Sequence, residues 1–280
     1  MQEAAPTRAE MMRELVDALV TRPTSDPNVF TAPSPDWFGP RLFGGFVVAQ
    51  SLNAAIKTVS GDLRPHSLHG YFLRGVETGH DSELRVEHVR DGRTFTTRRV
   101  TTVQRGKEAF VATASFCVDE PGDEYQAALP EPPEPENVEI SDFDGPVEMR
   151  DLGATPARAD GTMESTRRVW FGVDPLGDDP ALHATVLAYL SDMTGTSFRP
   201  HSLGVWGEHT DASLDHAVWF HRPARADGWL FYDLHALVNT GGRSLVRGEL
   251  YTRDGRLCLS LAQELLIRKL DTPLAWPPTP

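Results

Sequence analysis

The chain is poor in the groups that most often announce a chemistry. Two cysteines in 280 residues cannot build a disulfide framework, and Cys117 and Cys258 stand in apolar contexts without metal-ligand spacing. Both are expected to be reduced packing residues of a cytoplasmic protein. No apolar run approaches the roughly 20 residues that span a bilayer, and Met1 to Pro6 has neither the basic nor the apolar region of a secretory leader. The closing Pro-Pro-Thr-Pro280 is no peroxisomal address. A soluble chain without a membrane partner is expected. There is no Gly-x-Ser-x-Gly elbow, which disfavours an α/β-hydrolase, no His-Glu-x-x-His and no Walker-type glycine loop. No metal ion and no cofactor is expected.

Positive charge is also scarce. Against 40 acidic residues stand 27 lysines and arginines, a formal net charge of −13 that argues against nucleic acid as a partner. The deficit is local. Between Glu120 and Arg150 ten acids face one base, so that segment carries −9 and the remainder −4. An anionic small-molecule ligand therefore stays open.

What the chain does have is apolar periodicity, with 40% hydrophobic residues, enough for real cores. Residues 8 to 20 read as an amphipathic helix with Met12, Leu15, Val16 and Leu19 on one face, and Asn28 to Ala32 as a short strand. Gly44 and Gly45 open a second helix, nearly apolar all round, that runs to Ile56. Paired glycines at a helix start let a ligand or another backbone approach exposed N–H groups. The period then changes to two. His66–Arg74, Glu83–Arg90, Thr94–Gln104 and Glu108–Cys117 read as strands, with turns at Asp91-Gly92 and Arg105-Gly106. One buried helix followed by an antiparallel meander is an α+β unit, a sheet wrapped around a helix.

From Glu120 to Arg150 the pattern breaks, and Leu-Pro-Glu-Pro-Pro-Glu-Pro-Glu136 reads as a stiff acidic linker. The same order then returns: a strand at Ser165–Val173, a helix at Ala181–Met193, and strands at Ser213–His221, Trp229–Leu237, Arg243–Arg253 and Arg256–Arg268. Gly92 and Gly242 lie 150 residues apart, Gly106 and Gly255 149 apart, and Ser67–Arg74 resembles Ser213–Arg222. A nearly constant offset indicates internal duplication. The expected division is residues 1–119, a Pro- and acid-rich linker at 120–160, and residues 161–280 carrying the chemistry.

The helix of the second copy has no wet side. Asp179-Pro180 supplies a cap and a proline at the first position, and Gly195 can end it. Asp192 continues the small-residue line of Ala181 and Ala188. A carboxylate at a helix C-terminus opposes the helix dipole, and enclosure strips its hydration; both effects raise its pKa. In the last strand Leu257, Leu259, Leu261, Gln263, Leu265 and Ile267 share one face. Gln263 is thus a lone amide facing the core, where it needs partners to offset a desolvation cost of roughly 1 to 3 kcal/mol. Ser213 begins the strand after the acid-bearing helix. Asp192, Ser213 and Gln263 together hold no strong nucleophile. They can hold a water, the acid taking its proton while the neutral groups fix its direction.

Five ordered blocks resemble a known family: Phe43-Gly-Gly-x-Val-Val-x-Gln50, His66-Ser-x-His-x-Tyr-Phe-Leu-Arg74, Arg90-Asp-Gly-x-x-Phe-x-x-Arg-Arg99, Leu214-Asp-His-x-x-Trp-Phe-His-Arg-Pro223 and Val246-Arg-Gly-Glu-x-Tyr-Thr-x-Asp-Gly255. They look like those of the TesB-type, or type II, acyl-CoA thioesterases, over most of Phe43 to Arg268 apart from the linker. The resemblance implies a double hotdog fold, a homo-oligomer, and hydrolysis of fatty acyl-CoA to free acid and CoA without a covalent intermediate. It also implies that Asp192 is the general base, that Ser213 and Gln263 orient the water, and that the amide steadies charge at the thioester carbonyl. Backbone N–H groups near Gly45 would serve the oxyanion, and some of Arg90, Arg93, Arg98, Arg99 and Lys107 would meet CoA phosphates. Phe46, where relatives often carry Gln, and the short acidic linker are departures.

Two other readings compete. Asp211 and His216 have the five-residue spacing of hotdog hydratases acting on enoyl-CoA, but the surrounding Asn-Pro-Leu segment is missing and His216 falls within an expected strand. A catalytically silent acyl-CoA-binding protein has no reason to keep Asp192, Ser213 and Gln263.

Overall fold

A computed structural model describes residues 6–37, 39–129, 131–141, 145–154, 165–193 and 209–271. Its first helix, α1 (Arg8–Leu19), starts in a capping box in which Thr7 accepts from the Glu10 N–H and Glu10 reaches back to the Thr7 N–H. The short strands β1 (Arg22–Pro23) and β2 (Val29–Ala32) follow. Then come α2 (Gly44–Ile56), β3 (Arg64–Phe72), β4 (Ser82–Arg90), β5 (Phe95–Gln104) and β6 (Lys107–Cys117). The second half runs β7 (Glu148–Ala154), β8 (Ser165–Val173), α3 (Pro180–Asp192), β9 (His209–Ser213), β10 (Asp215–Phe220), β11 (Gly228–Thr240), β12 (Arg243–Thr252) and β13 (Leu257–Lys269).

The strands form one antiparallel sheet in the order β1-β2-β4-β5-β6-β3-β10-β13-β12-β11-β8-β7, with β9 also on β13. Read outward from the β3–β10 seam, the halves match: β6, β5, β4 and β2 on one side, β13, β12, β11 and β8 on the other. The helix follows β2 in one half and β8 in the other. Each half is a sheet around a buried helix, and the whole is the double hotdog expected.

The two helices fill the interior because neither has a polar side to show. All but the two end residues of α2 are buried, as is most of α3. They run antiparallel, and Phe46 packs edge-on against Tyr189 with ring centroids 5.1 Å apart. Their few polar groups are spent internally. Asn53 accepts from Thr21 and donates to Thr185 Oγ1, and Gln50 donates to the carbonyls of Ala18 and Pro33. These bonds satisfy polar groups that burial would otherwise penalise by about 1–3 kcal/mol each.

Two expectations are revised. The strand read at Ser213–His221 is two strands, broken at Leu214. Ser213 ends β9 instead of starting the next strand. The segment read as linker carries β7, which pairs with β8, and a single 3-10 turn at Pro135–Asn137. The acidic stretch is also strapped down: Arg253 binds Glu134 and Glu136, the Trp170 indole donates to Pro133 O, and Arg150 donates to the carbonyls of Pro135 and Val138. Its prolines exclude helix and central strand, as expected, but its outward polar groups find partners across the sheet. Gly195, expected to end α3, lies outside the described residues. Cys117 and Cys258 are free thiols.

The close approach of the helices depends on Gly45, where a methyl group would lie 2.8 Å from the Tyr189 carbonyl oxygen and 2.6 Å from the Phe43 ring. Gly45→Ala is expected to cost about 1–3 kcal/mol through overpacking. A lower denaturant midpoint at unchanged slope is the expected result; an unchanged midpoint would show that the helices can move apart freely.

Candidate active site

Asp192 is the last residue of α3, and the inward period of the helix carries it into full burial. Gln263 arrives from β13 on the face that also presents Leu261 and Leu265, and it too is fully buried. Ser213 sits opposite Leu265 and remains partly exposed. The Gln263 amide joins them: Nε2 donates to Asp192 Oδ1 at 2.6 Å and to Ser213 Oγ at 2.8 Å. The three side chains expected from sequence therefore meet at one point.

The break in the strand makes this meeting possible. Ala217 pairs with Ala262, while Ser213 pairs with Leu265, so the register slips by one residue opposite Gln263. Such a bulge re-aims the side chains beside it. The Leu214 N–H donates to Glu264 O, and Asp215 Oδ1 accepts from the Glu264 N–H at 2.7 Å, pinning the slip.

The bonding also limits what Gln263 can do. Both of its N–H bonds are directed within the trio, so in this arrangement none is left to steady a thioester carbonyl. The amide positions the acid and the hydroxyl instead. Its orientation follows from the carboxylate, which can only accept from the amide and so calls for the NH2 side.

The start of α2 lies against the same carboxylate. A methyl at Gly44 would fall 2.6 Å from Asp192 Oδ2. The expectation from sequence counted only the negative end of α3, whereas the positive end of α2 meets Asp192 from across the interface and favours negative charge there. Burial, and then the charge of Asp192, push the Tyr189 phenol above its usual range, so it stays protonated.

His216 was weighed in sequence only as half of a hydratase pair, and its position beside Asp192 was missed. It is fully buried on β10, with Nδ1 3.9 Å from Asp192 Oδ1. Ser191 Oγ gives its only proton to Ala188 O at 2.7 Å, so the 2.8 Å contact with His216 Nε2 is one in which the imidazole donates. Nδ1 then carries the lone pair. Burial pushes the imidazole down to about 4. The ring is neutral and structural, which leaves the hydratase pairing without a free histidine; the Asp211 side chain lies outside the described residues. The alternation His216, Val218, Phe220 on one strand face was the available signal.

Of the cations considered for CoA phosphates, Arg98 is withdrawn. It is buried and donates to Thr58, Asp91 and the carbonyls of Arg90 and Thr97. Arg90, Arg93, Arg99 and Lys107 are exposed. Among the described residues no cluster of three or more His, Cys, Asp or Glu could hold a metal ion, and no helix is long and apolar enough to cross a membrane.

The fold is a double hotdog, and its interior holds a buried carboxylate bridged by one amide to a hydroxyl. Residues 33–117 match the family model described as the acyl-CoA thioesterase N-terminal domain, and residues 124–267 match that of the C-terminal domain. The chain is 35% identical over 260 residues to acyl-coenzyme A thioesterase 8 of Homo sapiens, covering 81% of each chain. It is 31% identical over 269 residues to acyl-CoA thioesterase 2 of Haemophilus influenzae, covering 87% of this chain and 93% of that one. Among solved structures, the acyl-CoA thioesterase II TesB2 of Mycobacterium marinum superposes with a TM-score of 0.80 at 37% identity, over 91% of this chain and 99% of that chain. The chain belongs to the acyl-CoA thioesterase family and hydrolyses acyl-CoA thioesters.

The state of His216 makes stability depend on pH. An unfolded imidazole binds its proton near 6.5 and the folded one near 4. The unfolded chain therefore holds more protons between these values, so this contribution is complete above about pH 6.5 and is lost as pH falls toward 4. It amounts to roughly 3 kcal/mol at most. His216→Gln should flatten the stability-versus-pH curve in that window; an unchanged slope would show that the imidazole is not buried neutral.

Proposed function

We propose that Asp192 is the general base of the thioester hydrolysis, that Ser213 directs the attacking water, and that Gln263 holds the two in register. The observation that carries this reading is the single amide bridging Asp192 Oδ1 and Ser213 Oγ. Ser213 accepts from Gln263, so its own proton is free to turn toward a water. Ser213 is also the most accessible of the three, which makes its side the proposed entry for the water.

In the reaction the water oxygen bonds to the thioester carbon as Asp192 takes a proton. The C–S bond then breaks, and the leaving CoA sulfur receives that proton from Asp192, giving free acid and thiol with the carboxylate restored. No covalent enzyme intermediate forms. Fatty acyl chains are the proposed substrates, since the walls around the paired helices are apolar. Residues 1–119 supply the partner surface, with α2 against the acid, and residues 161–280 supply all three side chains.

Asp192→Asn is expected to lower kcat for thiol release by about 10²–10⁴-fold, the usual weight of a positioned base. Gln263→Ala should cost about 10²-fold through misplacement, and Ser213→Ala about tenfold through one lost hydrogen bond. Thiol release from acyl-CoA, with thermal melting as a control, measures all three. Full activity in a folded Asp192→Asn protein would remove the acid from the mechanism.

We also propose that the enzyme acts in the cytoplasm as a homo-oligomer. Tyr71 and Trp219 stand exposed on the outer face of the β3–β10 seam, and His69 packs on Trp219 there. Exposed aromatics at such a seam favour a back-to-back contact. Sedimentation should give more than one chain per particle, reduced by Trp219→Glu; a monomeric parent chain would refute the contact.

A further inference from the structure

The duplication makes a second place in the molecule comparable, residue by residue, with the Asp192 site. At the seam Ala217 pairs with His69. Stepping outward, Ala217 pairs with Ala262 in β13 and His69 with Thr113 in β6, so the next residues, Gln263 and Ala114, are equivalent. Two positions further, Leu265 pairs with Ser213 and Phe116 with Pro65. Asp192 closes the 13-residue α3 as Ile56 closes the 13-residue α2. The mate of Asp192, Ser213 and Gln263 is therefore Ile56, Pro65 and Ala114, without carboxylate, hydroxyl or amide.

A cavity of about 510 Å³ opens at this mate. Ile56 and Pro65 line it, facing the start of α3 at Pro180 and Ala181, with Ala184, Leu187 and Phe220 as further apolar wall. The missing trio leaves no base here. The small side chains of Ala181 and Ala184 leave the half-open cleft between α2 and α3 unfilled. Its volume falls in the range that takes a small ligand.

The rim carries Arg64, Arg222 and Arg225 against Asp178 and Asp179. Arg64 is tied to Asp119, and Arg225 to Asp178 and Asp227. Arg222 Nη1 donates to Leu257 O at 2.9 Å and lies 3.4 Å from Gln126 Oε1, while Nη2 reaches the exposed Glu124 only at 3.4 Å. That Nη2 is the rim donor most readily turned to a ligand.

We propose that this cavity binds an acyl chain ending in an anionic group and holds it without hydrolysis. The identity of the ligand rests on the acyl-CoA activity, whereas the cavity does not depend on the assignment of Asp192. The apolar wall takes the chain, Arg222 meets the anion, and the missing base leaves a thioester bond intact.

The experiment uses the full chain with two photoactivatable diazirine probes, dodecanoate and its non-hydrolysable dodecyl-CoA thioether. Labelling is expected on peptides spanning Ile56–Pro65 and Ala181–Leu187. It should fall at least about tenfold in Ala184→Phe, which fills the space, and also weaken in Arg222→Ala. Thiol release by Ala184→Phe should stay within about threefold of the parent. If dodecanoate labels, the free acid is a source of the ligand; if only the thioether labels, it is acyl-CoA. Labelling at neither peptide, or labelling unchanged by Ala184→Phe, overturns the proposal. Should Ala184→Phe not fold, Ala224→Trp fills the cavity from its loop and is read the same way. Labelling in Asp192→Asn separates the two readings, since the cavity should label whether or not that variant is active.

Discussion

Gln263 donates one N–H to Asp192 and the other to Ser213, and these two short bonds set the demands on everything around them. A fully buried carboxylate is costly unless its environment replaces water. Here the Gln263 amide, itself held by the Ser213 hydroxyl, and the positive end of α2 do so. Each comes from a different element: β13 brings the amide, the end of β9 the hydroxyl, and the glycine pair lets α2 begin close enough to act. The antiparallel packing of the helices serves the site as much as the core, because it sets the start of one against the end of the other.

The same constraint bears on why one half of the duplicated fold differs so sharply from the other. Around Asp192 the second half carries Ser191, His216 and Gln263, all buried, with Ser191 bonded to His216 and to the backbone and Gln263 to Asp192 itself. The first half places Ile56, Ala114 and Leu68 in its interior. Each polar group in a core demands a partner, and each partner demands another. Supporting one carboxylate therefore reshapes a neighbourhood, and the halves diverge as blocks of side chains over a shared backbone.

Much of this was legible in sequence where the signal is periodic. The change from helical to alternating period located nearly every element, the repeated turn glycines exposed the duplication, and a lone amide in an aliphatic row marked Gln263 as a core polar group in need of partners. What was not legible arises from contacts distant in the chain. The break at Leu214 depends on the register of β13, some fifty residues on. The effect of α2 on Asp192 depends on a helix in the other half. His216 read as a strand residue because its partner, Ser191, looks like an ordinary helix serine. Arg98 stood among the cations expected at CoA phosphates, although Thr58 and Asp91 hold it. The strand β7 was hidden because prolines and acids dominate the segment before it.

The acidic stretch gains a physical reason once its position is known. CoA is a polyanion, and a net charge of −13 spread evenly would repel it. Leu129 and Val138, on either side of the acids Glu131, Glu134 and Glu136, instead pack on Trp170, Phe231 and Tyr251, a small cluster separate from the main core. Strand alternation puts Trp170 on the opposite side of the sheet from Phe171, which belongs to the core around the helices. The sheet thus stands between the site and these acids, and Arg253 neutralises part of their charge. Fixing the segment by its proline carbonyls, through Trp170 and Arg150, keeps that charge on the outer face, where screening by salt reduces its reach to about one Debye length.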